Sequence, residues 1–271
     1  MAREALVRRL GSRPFDLLII GGGIVGAGIA RDAAMRGLTV ALVEQGDFGS
    51  GTSSKTSKLI HGGLRYLEQG HLRLVFESLR ERAVLRRIAP GAVHPRSFLL
   101  PIYGGDRRGA WTIHAGLWLY DLLAIGRSLP ACAAGAAGRH THRWLSAQRA
   151  LALEPSLRVD GLRAAGLYTD CQMDDARLCL ANVLQAAGLG AAAGNYLRVR
   201  TLLSAGGRIC GALVEDALSG RTVEVRARTA QEIARGATNL RSPSSLHRRR
   251  ERSLAAPTKA RLSFLSSGPR P

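Results

Sequence analysis

A continuous apolar run, Phe15–Ile20, opens the patterned part of the chain and ends on three glycines, Gly21, Gly22 and Gly23. A short unbroken apolar run bounded by turn residues reads as a buried strand. A helical pattern follows, with small residues Ala27, Ala30 and Ala33 on one close-packing face. Gly37 falls where a helix C-terminus takes a left-handed residue. A second apolar strand, Thr39–Val43, then delivers Glu44. Strand, glycine turn, helix, strand and acid in that order are predicted to form the first crossover of a dinucleotide-binding βαβ unit.

The pattern continues with an amphipathic helix over Leu72–Ile88, with Leu72, Val75, Phe76, Leu79 and Ala83 on one face. Ala89-Pro90-Gly91 ends it. Short strands are predicted at Phe98–Tyr103 and Gly166–Thr169, and a short helix at Leu145–Leu153, stopped by Pro155. Ala110–Gly126 is apolar but holds His114 and Asp121. It reads first as a buried helix and second as a segment lying on a membrane surface. Asp174 or Asp175 caps a helix over Ala176–Ala187. Tyr196–Ser204, Ile209–Asp216 and Thr222–Arg228 alternate and are joined by glycine turns, which predicts a meander. Residues 1–14 read as an N-terminal extension and 15–228 as the domain. From Thr229 apolar periodicity vanishes, and nine basic residues outnumber two acidic ones. Residues 229–271 are therefore expected to be a basic, disordered tail.

Each glycine of the first motif has its own task. Gly21 allows the tight turn, Gly23 lets the backbone approach a pyrophosphate, and Gly26 lets the helix pack on the strand. The helix N-terminus presents unpaired N–H groups to phosphate oxygens. Glu44 lies 18 positions after Gly26, close to the ~20 at which a carboxylate grips a ribose. A carboxylate there favours a free 2′-hydroxyl, so FAD or NAD fits better than NADP. The loop after Glu44 is rich in Gly, Ser and Thr, and Lys55 and Lys58 add positive charge. Gly62-Gly63 permits close backbone approach to a planar ring.

The four cysteines are scattered without a CxxC pair, so a zinc site is not expected and a reducing compartment is. No apolar run near the N-terminus resembles a signal peptide, and no stretch reaches the ~18 residues of a spanning helix. The formal net charge is +19, yet only three of the basic residues are lysines and no aromatics interleave them. Nucleic acid is accordingly not expected as a partner. His114, His140 and His142 lack metal-ligand spacing and are expected at the surface; no metal is expected.

Three blocks together, DLLIIGGGIVGAGIARDAAMRGLTVALVE, TSSKTSKLIHGGLRYLE and DCQMDDARLCLAN, resemble the FAD-dependent, quinone-linked glycerol-3-phosphate dehydrogenases. The resemblance covers about Phe15–Arg228. It implies an α/β fold: an FAD-binding Rossmann-like domain of the glutathione-reductase type, with a β-meander and part of a substrate cap. It also implies oxidation of sn-glycerol 3-phosphate to dihydroxyacetone phosphate, with electrons passed to quinone. Peripheral contact with the inner face of the cell membrane, a cytoplasmic location and a homodimer come with the same resemblance.

Carried over by residue, Gly21, Gly22, Gly23, Gly26 and Glu44 would hold the ADP half of FAD. Thr52, Ser53, Ser54, Lys58, His61, Gly62 and Gly63 would line the pyrophosphate, ribityl chain and isoalloxazine. Arg65 and Tyr66 would face the substrate, where an arginine suits a phosphate dianion. His61 is either the base for the C2 hydroxyl proton or a hydrogen-bond partner of the flavin edge. Asp170 and Arg177 would hold the cap-side segment together, and the Asp174-Asp175 pair reads as helix capping. In place of the family's VNAxGPW-type segment this chain reads TAQEIARGATNLRSPSS, and the C-terminal half of the family fold is expected to be missing. A truncated or frameshifted member is the corresponding expectation, with a catalytically inactive FAD-binding fragment as the alternative. A basic interaction protein acting through its tail is the remaining alternative.

Overall fold

A computed structural model describes residues 3–63, 66–67, 69–106, 109–125 and 141–233. Two sheets organise them. The first has six strands in the order β7-β2-β1-β10-β9-β8: β1 Phe15–Ile20, β2 Val40–Val43, β7 Ala192–Gly194, β8 Leu197–Ala205, β9 Arg208–Asp216 and β10 Thr222–Glu232. β7, β2, β1 and the far half of β10 run parallel, and β8, β9 and the near half of β10 form the expected meander.

β10 is longer than the sequence pattern suggested. Its C-terminal half pairs with β1 in register, Phe15 with Ala227 through Ile20 with Glu232. The basic composition beyond Arg228 hid four strand residues, because Arg228, Thr229, Gln231 and Glu232 are exposed and only Ala227 and Ala230 face inward. β9 stops at Arg226. Among the described residues no strand pairs with the outer side of Ala227–Glu232. Residues 234–271 lie outside the described residues, and with them most of the expected tail.

Helices cover one face of this sheet. α2, Ile24–Met35, packs on α6, Asp175–Gly188, through Ala27, Ala30, Ala33, Cys179, Val183 and Ala186. Alanine at these positions lets the two axes and the strand edges approach closely. The opposite face is closed by the meander and by α1, Arg3–Ser12. α1 was expected only as an extension. It is instead part of the core: Leu10 is fully buried, and Arg3 donates to Asp216 at 2.6 Å.

The second sheet is antiparallel. β6, Leu162–Met173, pairs along its length with β4, Val93–Tyr103. Its other side takes β3, Leu59–Ile60, and β5, Arg143–Ser146. Both long strands exceed the short apolar runs visible in the sequence, since polar flanks such as His94 and Arg96 still form ladder pairs. Beside it lie α3, Leu72–Ile88, and α4, Ala110–Ile125, with α5, Ala147–Leu153, next to β5.

Two helix faces differ from expectation. In α3 the buried residues are Val75, Leu79 and Arg82, while Leu72 and Phe76 are exposed. The stripe is thus turned toward a charged residue that an apolar count passes over. α4 is not a buried helix. Leu117, Tyr120, Asp121 and Ala124 face inward, but Trp111, Leu122 and Trp118 are 83%, 66% and 60% exposed. It is apolar all round, so composition alone could not say which side is covered.

Candidate functional site

The strand-to-helix turn between β1 and α2 is built as the glycine spacing requires. Gly21 has φ +114, which only glycine adopts without strain, and its N–H bonds the Val43 carbonyl at 2.9 Å. A Cβ on Gly26 would sit 1.9 Å from the Gly21 carbonyl oxygen. Gly23 differs: only the Ser53 hydroxyl lies within 4 Å of where its Cβ would be. A Cβ on Gly23 would lie 3.3 Å from the Ser53 hydroxyl, so a side chain there would press on Ser53. α2 begins without a side-chain cap on Gly23, and its first intrahelical bond is Ala27 N–H to Gly23 O. Beyond Ile24, whose N–H goes to Ser53 Oγ, the N–H groups of the first turn have no intrahelical partner.

Glu44 closes one side. Its Oε2 accepts from Gly22 N–H at 2.6 Å and its Oε1 from Gly46 N–H at 2.8 Å. Each carboxylate oxygen retains a further lone pair. Cys179 sits beneath the turn, donating to the Gly22 carbonyl at 3.4 Å. Burial, with the Glu44 charge adding to it, pushes its thiol up to about 11, so it packs as a neutral group.

The second block meets the first directly. Ser53 lies in a 3-10 turn, Thr52–Ser54, and is buried. Its Oγ accepts from Ile24 N–H at 2.9 Å, the leading amide of α2. Thr52 is exposed, and Ser54 Oγ donates to the Ser50 and Gly51 carbonyls. Lys58 has φ +58, unusual for a side-chain-bearing residue, and its carbonyl accepts from Met173 N–H at 2.9 Å. The chain then enters β3, so residues 53–60 run from the glycine turn into the second sheet.

Beyond β3, His61 is exposed and Gly62 and Gly63 are buried. A Cβ on Gly62 would lie 2.3 Å from the Tyr120 hydroxyl and 2.4 Å from Leu79 Cδ2. Protein packing by itself already demands that glycine. Gly63 has φ +79 and packs under the Tyr66 ring, which is partly exposed. Arg65 lies outside the described residues.

A buried polar cluster missed at the sequence level stands behind this segment. Gly62 N–H donates to Tyr120 OH at 2.9 Å and to Asp170 Oδ2 at 3.3 Å. Tyr120 OH donates to Asp170 Oδ2 at 3.1 Å. Arg82 NH1 reaches Asp170 Oδ1 at 2.5 Å and Tyr120 OH at 3.1 Å. Burial holds the Tyr120 phenol protonated, well above its usual value. Asp170 thus does hold the segment, but its partner is Arg82. Arg177 instead offers its backbone N–H to the Asp174 cap at 3.1 Å. An arginine three residues after Leu79 and seven after Val75 was the available signal, since it falls on the apolar stripe.

Two further findings concern acids and histidines. Asp175, the first residue of α6, is buried with both carboxylate oxygens unpartnered among the described residues. Burial raises its carboxyl; Lys58 opposes the shift and Asp174 adds to it. His142 is not at the surface: its side chain is 4% exposed, with Nδ1 2.7 Å from Asp121 Oδ2. His114 leans on the rings of His142 and Trp144. His140 lies outside the described residues.

The sequence profile described as FAD dependent oxidoreductase matches residues 16–253. The chain belongs to the FAD-dependent oxidoreductase family. Within it, the chain corresponds to the N-terminal part of glycerol-3-phosphate dehydrogenases. It is 40% identical over 228 residues to the aerobic glycerol-3-phosphate dehydrogenase of Bacillus subtilis, covering 84% of this chain and 39% of that protein. It is 38% identical over 231 residues to the alpha-glycerophosphate oxidase of Streptococcus pneumoniae, covering 83% and 36%. Among solved structures, the glycerol-3-phosphate dehydrogenase of Bacillus halodurans complexed with FAD aligns with a TM-score of 0.63 at 30% identity, over 85% of this chain and 36% of that one. The chain thus spans about two fifths of the length of these relatives. The profile extends beyond Arg228, where the composition changes.

Proposed function

We propose that this chain binds FAD along the first crossover and forms the flavin-carrying part of a glycerol 3-phosphate oxidoreductase. One observation carries the reading: the Ile24 N–H to Ser53 Oγ bond joins the glycine turn to the second block in one continuous surface. The fit is supported by the absence of a side chain at Gly23, the first-turn amides of α2 beyond Ile24 and the lone pairs left on Glu44. In this reading Gly21, Gly22, Gly23, Gly26 and Glu44 hold the adenosine and pyrophosphate. Thr52, Ser53, Ser54 and Lys58 follow the ribityl chain, and His61, Gly62 and Gly63 border the ring.

Flavin, when bound, supplies a hydride acceptor. The chain's own residues supply the rest. Arg65 and Tyr66 take the substrate phosphate end, and His61, exposed beside Gly62, either takes the C2 hydroxyl proton or bonds the ring edge. Relatives named as dehydrogenases and as oxidases match at similar identity, so quinone as acceptor rests on the resemblance alone. Contact with the inner membrane face and a homodimer stand on the same ground; among the described residues no helix is long and apolar enough to cross a membrane.

A second reading, an FAD-binding fragment without turnover, is favoured by the outer side of Ala227–Glu232, unpaired among the described residues, and by the exposed tryptophans of α4. Anaerobic addition of sn-glycerol 3-phosphate to the flavin-loaded chain decides between them. Bleaching of the visible flavin band is expected for the first. A band unchanged by substrate, yet bleached by dithionite, overturns turnover and leaves the second.

A further inference from the structure

The buried cluster behind Gly62 belongs to no cofactor or substrate contact in the reading above, and it is built at some cost. A buried carboxylate–guanidinium pair gains little over apolar packing unless every polar atom is satisfied. Here every strong acceptor is used. Asp170 Oδ1 takes Arg82, and Asp170 Oδ2 takes both Tyr120 OH and Gly62 N–H. Three elements meet there: Arg82 from α3, Tyr120 from α4 and Asp170 from β6. All three side chains are buried. They converge on a single peptide N–H.

That N–H belongs to a segment with little else to hold it. β3 is two residues long, and His61–Gly63 leaves the ladder immediately after it. On one side of Gly62 stands exposed His61; on the other, Gly63 seats the Tyr66 ring. We propose that Arg82, Tyr120 and Asp170 are positioning residues that fix the His61–Gly63 backbone and thereby aim His61 at the bound flavin and seat Tyr66 toward the substrate. The proposal rests on the flavin reading for what is aimed, but not for what is held. In that reading none of the three side chains is assigned to cofactor or substrate.

Tyr120→Phe is the informative change. It keeps the ring between α3 and α4 and removes the nearer of the two acceptors of Gly62 N–H, leaving only the longer bond to Asp170 Oδ2. Losing one buried hydrogen bond of this kind corresponds to about a tenfold change in an opening equilibrium. In the FAD-free full chain, hydrogen exchange of the Gly62 amide is expected to speed up about tenfold in Tyr120→Phe, with the amides of β1, β2 and β10 unchanged. FAD affinity, read by quenching of flavin fluorescence, is expected to weaken by about the same factor. Asp170→Asn, if it folds, is expected to do both more strongly. Unchanged Gly62 exchange overturns the proposal, as does faster exchange spread over the whole second sheet. Faster Gly62 exchange with wild-type FAD affinity and flavin spectrum overturns the aiming role. If the wild-type chain takes up no FAD at all, the flavin reading fails, and the exchange result still decides whether the cluster holds the segment.

Discussion

A Cβ at Gly26 would meet a backbone oxygen at 1.9 Å, and no side chain can move aside to relieve that. Gly26→Ala is therefore expected to destabilise the fold by about 3 kcal/mol, seen as a lower midpoint in urea. An unchanged midpoint would mean that the turn is looser than described. Asp175 carries the opposite expectation. Its carboxyl is raised by burial, so the folded chain keeps the proton to higher pH than the unfolded one. The stability that this group contributes is whole below about pH 4, the unfolded value, and is lost as pH rises through the folded one. Asp175→Asn is expected to stabilise at pH 7 by about 1 kcal/mol, with the gain fading toward pH 4. Thermal melts across that range check it, and a variant that melts lower at pH 7 contradicts it.

Among elements, α1 is tied down by Leu10 in the core, by Arg9 on the Gly190 carbonyl and by a clasp around Arg3. Arg3 donates to the Asp216 carboxylate and to the Asn195 carbonyl, while Ser219 and Leu218 N–H also feed Asp216. These bonds, Arg3 foremost, hold the Asp216 carboxyl down to about 2. Its stabilisation is present above the unfolded value of about 4 and is lost as pH falls toward 2. Arg3→Ala is expected to cost about 2 kcal/mol at neutral pH and to flatten the acid limb of the stability profile. Retention of the wild-type acid limb would show that Arg3 is not the main partner. α1 also shows where sequence reading reached and where it stopped. Gly21 and Gly26 were legible because local backbone geometry forces them, and Glu44 because its carboxylate closes the same turn on Gly22 N–H. So were the Asp174 cap and the meander turns, which are local chemistry too. α1 was not legible, because only Leu10 of its residues is buried and its anchor, Asp216, lies more than two hundred residues away. The Arg82–Tyr120–Asp170 cluster escaped for the same reason: its members meet only in the folded chain. The face of α4 could not be chosen because every side of it is apolar.

At the scale of the molecule, a ligand that binds only the folded chain must stabilise it. At a hundred times its dissociation constant, FAD is expected to add about 2.7 kcal/mol, or roughly 5–10 °C in melting temperature for a chain of this size. NAD at the same concentration is expected to add little, because the surface running from Gly23 through Ser53 to β3 serves a longer ligand with a ring at its far end. Equal shifts from both nucleotides would reduce the site to its adenosine half. The most direct measurement is the flavin content of the purified chain, released by denaturation and compared with protein concentration after incubation with excess FAD and desalting. The account predicts about one FAD per chain. A colourless protein that stays colourless and folded after that incubation would contradict it.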